Sequence, residues 1–129
     1  MNLENNVKDV KKVIANCTLK PKRHSVMITL NQYAPEDSLL EISGENESML
    51  DEYQSIIAVG NGTEFKPGDK ILLDISALTK RIPDPNDRMA YIDMIDIKPV
   101  QQGDHTFTII SDSYILATVI NESNIDLNA

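Results

Sequence analysis

Tryptophan is absent from the 129 residues, and the chain holds one cysteine, two histidines, two phenylalanines and five glycines. With Cys17 alone, no intrachain disulfide can form. His24 and His105 have no second histidine or cysteine at ligand spacing, which argues against a zinc site. The carboxylates lack the regular spacing of known calcium loops, and Asp84, Asp87, Asp93 and Asp96 read as loop and strand-edge charges. Gly60-Asn61-Gly62 is not followed by the helix and lysine that a phosphate-binding loop needs. No catalytic set emerges from these residues, so the chain reads as a non-enzyme that needs no cofactor. No apolar run approaches the roughly 18 residues needed to span a bilayer, and no signal-peptide pattern opens the chain. Positive charge is also scarce. Twelve Lys and Arg face twenty Asp and Glu, for a formal charge of −8, which disfavours nucleic acid and acidic membrane surfaces as partners. A cytoplasmic or viral setting is expected.

What the chain does have is concentrated in Ser55 to Ser76, SIIAVGNGTEFKPGDKILLDIS. Ile56 to Val59 is a continuous apolar run that ends at Gly60-Asn61-Gly62, where glycine permits the positive φ of a sharp turn. Lys66-Pro67-Gly68-Asp69 makes a second turn, with proline fixing φ, before Lys70 to Leu73 begins another strand. Upstream, Val26, Ile28 and Leu30 alternate with Met27 and Thr29 as in a half-buried strand. Downstream, Tyr91 to Ile97 supplies an apolar strand of imperfect alternation, expected to be covered on both sides for part of its length. Thr106 to Ile110 and Ile115 to Ile120 complete the strands, and Gln102-Gly103-Asp104 turns the chain between two of them. Arg81 to Asp87, RIPDPND, has two prolines and is expected to be a loop.

Two further stretches stand apart. Leu3, Val7, Val10 and Ile14 fall on one face of a short N-terminal helix, with Asn5 or Asn6 as its cap. Such a helix is too short to persist unless it packs, either on its own domain or as an arm on a neighbouring subunit. The second stretch, Asn31 to Gln54, carries seven acidic residues and no basic one, a composition that favours an extended, mobile chain. Within it, Leu39, Leu40 and Ile42 are apolar side chains with no obvious burial site, unless they cover one end of the domain. By pattern the chain divides into a helical extension over 1–18, a β domain over 19–121 with a mobile loop at about 34–53, and a loose tail over 122–129. The lysines and arginine at Lys20, Lys22 and Arg23 read as solvated surface.

The AVGNG of Ala58 to Gly62 followed by PGDKILL resembles the GroES-type co-chaperonins. Leu19-Lys20-Pro21 before Val26-Met27-Ile28 resembles the opening of that family, and Ser111 to Val119 resembles its closing segment. Together these matches span about 19–120. The resemblance implies a small, mostly antiparallel β-barrel and a homo-oligomeric ring, heptameric in the family. It also implies that Leu39, Leu40 and Ile42, on the loop between the first strand and the AVGNG strand, dock on a GroEL-like chaperonin ring. Subunits would join through the first and last strands, at Val26, Ile28, Ile115, Ala117 and Val119. Three departures accompany the match. Glu41 interrupts the apolar loop residues and the family's preceding glycine pair is missing. Lys22, His24 and Ser25 replace the usual residues after the proline. Only Thr63 to Lys66 separates GNG from PGD, too few for the family's roof hairpin, as in some bacteriophage forms. The alternative from a different class is a phage capsid or tail component, partnered by other virion proteins and built on the same barrel.

Overall fold

The structure is a computed structural model and describes residues 5–33 and 49–120. It is mostly β, with antiparallel sheets and a short helix near the N-terminus. After helix α1 (Val10–Ala15) come β1 (Ser25–Thr29), β2 (Gln32–Tyr33), β3 (Met49–Leu50), β4 (Tyr53–Val59) and β5 (Lys70–Leu73). A one-turn helix α2 (Ile75–Leu78) leads to β6 (Thr79–Asp84) and β7 (Asp87–Ile95). The chain ends with β8 (Pro99–Gln102), β9 (His105–Ser111), a 3₁₀ turn at Asp112–Tyr114, and β10 (Ile115–Thr118). Six strands share one sheet in the order β10-β5-β4-β1-β9-β8, while β2 pairs with β3 and β6 with β7 as separate ribbons.

Strand β1 sits in the middle with both edges occupied, by β4 and by β9. Because strand side chains alternate, it feeds two cores at once. Val26 and Ile28 join Ile56, Ile71, Leu73, Leu78 and Ile110 on one side, whereas Met27 joins Val7, Ile57 and Phe107 on the other. Strand β4 serves two partners in turn. Its first half, Tyr53 to Ser55, pairs with β5, and its second half pairs with β1. Opposite it the register shifts between Met27 and Ile28, a bulge that locally interrupts the ladder.

Helix α1 covers the second core, with Val10, Val13 and Ile14 at helical spacing packed against it. Six residues would not hold a helix in water, and each half-buried Val or Ile contributes about 1 kcal/mol. The segment docks on its own domain. Asp9, not Asn5 or Asn6, is the N-cap, its carboxylate accepting from the Lys12 N–H at 3.1 Å. The two asparagines do a different job, described below.

Two expectations are corrected, and one element is added. Arg81 to Asp87 is not a loop: Pro83 lies in β6 opposite Tyr91, next to a register shift at Asp84, and only Pro85 and Asn86 separate the strands. A two-stranded ribbon has two outer edges where a missing N–H costs nothing, so proline fits. Strand β7 is not covered on both sides, since Met89 is 90% exposed, Tyr91 62% and Met94 51%. Helix α2 was not legible at all; its N-cap Asp74 accepts from the Ala77 N–H at 3.2 Å, and Leu78 is buried in the core.

The GNG turn is fixed by close approach to the segment before β1. A Cβ on Gly60 would overlap the carbonyl of Lys22, and one on Gly62 would lie 2.7 Å from the His24 ring at a backbone φ of 83°. His24 is itself left-handed, with φ 62°, held by its N–H donating to Asn61 O at 2.8 Å and its carbonyl accepting from Asp112 N–H at 2.8 Å. Gly60→Ala should therefore cost about 3 kcal/mol or more. Gly103→Ala, where a Cβ meets nothing within 4 Å and only the φ of 62° is strained, should cost about 1–2 kcal/mol. Urea unfolding of the two variants checks the ranking.

Candidate functional site

The loop that carries Leu39, Leu40 and Ile42 lies outside the described residues, but both of its ends are described. Gln32 pairs with Leu50 and Tyr33 with Met49, so 34–48 leave and return through a two-stranded stem. Beneath the stem is Gln54, only 1% exposed and used at every polar position. Its Oε1 accepts from Thr29 Oγ1 at 2.7 Å and from the Asn31 N–H at 2.8 Å. Its Nε2 donates to the carbonyls of Asn31 and Asp51, each at 2.8 Å. Thr29 Oγ1 in turn accepts from the Ser55 N–H at 2.9 Å. One side chain thus ties the departing strand to the returning one. A buried amide left half-satisfied would be costly, and among the described residues no buried side-chain nitrogen or oxygen lacks a partner.

The N-terminal segment reinforces the same stem. Asn6 accepts from the Gln32 N–H and donates to the Gln32 carbonyl, both at 2.8 Å, so its amide acts as a strand partner for Gln32. Asn5 does the same at Thr106 on β9, accepting at 2.6 Å and donating at 3.0 Å. Asn31 Oδ1 accepts from the Val7 N–H at 2.8 Å. Side-chain amides carry a donor and an acceptor in the geometry of a peptide group, and this explains asparagine at these positions.

The interface residues expected from the resemblance fall in two settings. Val26 and Ile28 are fully buried within this chain, on a strand with no open edge. The last strand is different. Ile115 is half-buried against the core and Ala117 is exposed, opposite Leu72, while the Val119 N–H donates to Lys70 O at 2.7 Å. Strand β10 is terminal in the sheet order, and its Leu116 is 62% exposed, with Ile120 at 95% just beyond.

Among the described residues, the largest group of exposed apolar side chains is on the β6–β7 ribbon, hereafter the arm, where Met89, Tyr91, Ile92 and Met94 face outward. Its charges are largely paired at the root, Lys80 with Asp96 and Arg81 with Asp93, each at 3.7 Å. These solvent-exposed pairs add little stability. The loop stem and the arm root are neighbours: Leu73, the last residue of β5, donates its N–H to Glu52 O at 2.8 Å, and Asp74 caps the helix that opens the arm. Sequence reasoning missed Gln54 and the arm, and it gave Asn5 and Asn6 the role of a helix cap in place of their contacts with strand backbone. Only the arm left a signal, in the apolar content of Tyr91 to Ile97.

Among the described residues, no group of three His, Cys, Asp or Glu is placed to hold a metal ion, and no helix is long and apolar enough to cross a membrane. His24 Nδ1 lies 3.9 Å from Asp112 Oδ2 on the surface. No family model matches the chain, and no curated protein matches it significantly.

Gln54→Ala strands the Asn31 N–H and the carbonyls of Asn31 and Asp51, and should cost about 3 kcal/mol or more, with faster amide exchange at Asn31. Asn6→Ala should cost about 1 kcal/mol and speed exchange at Gln32, since water reaches that half-buried site. Urea titration and exchange measured by NMR separate the two effects.

Proposed function

We propose that this chain is the subunit of a GroES-type co-chaperonin: a homo-oligomeric ring, working in the cytoplasm of a bacterial or infected host cell, that caps a GroEL-like chaperonin. The observation that carries this reading is the loop stem. An acidic segment with three apolar side chains, Leu39, Leu40 and Ile42, is inserted between β2 and β3, and a buried network centred on Gln54 holds its two ends together. Natural folds place a fully satisfied buried amide where geometry matters, and here the geometry is that of the loop's exit. The short path from Gly60 to Lys70 supports the form without a roof, since no strand is formed there.

The docking chemistry follows from area. An apolar side chain that becomes fully buried contributes about 1.5–3 kcal/mol, and ordering the loop offsets part of this. A single loop binds weakly. Linked in a ring, the loops act at high effective concentration, and a loss of about 1–2 kcal/mol per subunit is multiplied around the ring.

A virion capsid or tail component is the second reading, and the apolar arm favours it, because such surfaces on a folded domain mark contacts with other proteins. The two readings part on chaperonin binding. Leu40→Asp and Ile42→Asp should each abolish inhibition of chaperonin ATPase and client refolding while the oligomer keeps its mass. Normal capping by both variants, or a wild-type protein that ignores chaperonin and copurifies with viral particles, would transfer the assignment to the virion.

A further inference from the structure

We infer that the cleft between the N-terminal segment and the β8–β9 hairpin is a binding site for a small organic monocarboxylate with an apolar body. The inference does not rest on the co-chaperonin reading, because the segment that completes the cleft lies ahead of the stretch, 19–120, on which that resemblance is based.

The cleft encloses about 520 Å³, within the roughly 300–1,000 Å³ of sites that hold small ligands. Asn6 to Asp9 with Lys12, Val13 and Asn16 form one wall, Gln102 to His105 form the other, and Phe107 contributes from beneath. Hydrogen bonds fasten both walls within the free protein. Asn5 pairs with Thr106 at 2.6 and 3.0 Å, while Gln102 accepts from the Thr18 N–H and donates to the Asn16 carbonyl, each at 3.3 Å. The space is thus pre-formed, which lowers the cost of filling it. Its floor belongs to the core, with Phe107 1% and Val7 8% exposed. The His105 ring meets Phe107 with centroids 6.1 Å apart at 52°, an aromatic corner against which an apolar body can pack.

The rim decides the charge of the occupant. Lys8 and Lys12 both line the cleft, and among the described residues neither ammonium has a carboxylate partner. The other titratable groups on the lining are Asp9, Asp104 and His105. The Asp9 carboxylate already accepts from the Lys12 N–H at 3.1 Å, so the anion is met by side chains and not by the helix end. Two aspartates also disfavour a dianion such as a phosphate monoester, whereas a single carboxylate is matched by the two lysines. The wider field agrees. Residues 5–24 carry six basic and one acidic side chain, although the described residues as a whole balance at twelve and twelve. A monocarboxylate can therefore bury its body on Val7, Val13 and Phe107 while its charge stays at the rim, in reach of charge-assisted hydrogen bonds from lysine.

The test adds naphthalene-2-carboxylate to the full chain and follows it by titration calorimetry and amide NMR. Binding should saturate at one probe per chain with Kd about 1 mM or tighter, and amide shifts should centre on 6–16 and 102–107. Lys8→Gln combined with Lys12→Gln should weaken it about tenfold, whereas Lys11→Gln, outside the lining, should leave it unchanged. Both variants should keep the circular dichroism of the wild type, since all three lysines are exposed. Naphthalene-2-methanol, the same body without the charge, should bind the wild type about tenfold more weakly and ignore the lysine changes. Absence of saturation at about 10 mM, or shifts centred elsewhere, overturns the inference. Equal binding of the alcohol overturns the carboxylate, and an equal loss in Lys11→Gln reduces the effect to diffuse surface attraction and overturns the site. A synthetic peptide of residues 34–48 that displaces the probe at lower concentration overturns it as well, and assigns the cleft to an acidic protein segment.

Discussion

Burial of a single five-residue strand on both faces and along both edges constrains the rest of this fold. Ser25 to Thr29 are all buried, with β4 on one edge, β9 on the other, the first core on one face and α1 over the other. A strand so enclosed cannot shift its register, because a slip of one residue would exchange Val26 and Ile28 with Met27 and Thr29. The polar member of the set shows how tight the constraint is. Thr29 is fully buried, and its hydroxyl is accommodated because it donates to Gln54 and accepts from Ser55. Fixing β1 fixes β4, and fixing β4 places the GNG turn at one end of the sheet and the loop stem at the other.

Asparagine and glutamine side chains then complete what backbone pairing leaves open. The sheet does not extend its ladder to the N-terminal segment, yet Asn5 and Asn6 each make a paired amide contact with a strand backbone. Gln102 plays the same part at the far end of α1, accepting from the Thr18 N–H at 3.3 Å and donating to Asn16 O at 3.3 Å. These contacts hold a six-residue helix across Met27, Ile57 and Phe107, which keeps water from that face of β1. Each bond adds on the order of 1 kcal/mol, comparable with the apolar contacts it positions.

The parts of this arrangement that were legible in the sequence are those decided by near neighbours. The strand around Val26 to Thr29, the positive φ at Gly62 and the Pro67-Gly68 turn are local events, and the structure forms a strand, a turn and a turn there, although the strand is buried on both faces rather than half-buried and Gly60 is required by the distant Lys22 carbonyl. Gln54 was not legible because its partners at Thr29 and Asn31 are more than twenty positions away, and nothing in YQS marks a buried amide. Asn5 and Asn6 misled because a cap and a strand clamp call for the same side chain. At Pro83 the rule against proline in regular structure holds for interior strands, whereas a ribbon has only edges. Burial of Tyr91 to Ile97 was misjudged because apolar content tells that a surface wants cover, not whether the same chain provides it.

That last distinction bears on how the molecule is organised. The strands run so that Thr29, Tyr53 and Leu73 lie at one end of the sheet and Ser25, Val59 and Lys70 at the other. The end with the GNG turn is closed by short backbone contacts, while Leu19 and Ile120 stay exposed beside it. The loop and the arm both depart from the opposite end, joined at their bases by the bond from Leu73 to Glu52. The exposed apolar side chains of the arm and the acidic insertion thus share one end of the sheet, and the buried Gln54 network stabilises the base from which the insertion departs. Substitutions at the exposed side chains of the arm should then have little effect on β1 and its two cores, since sites without shared contacts act nearly independently.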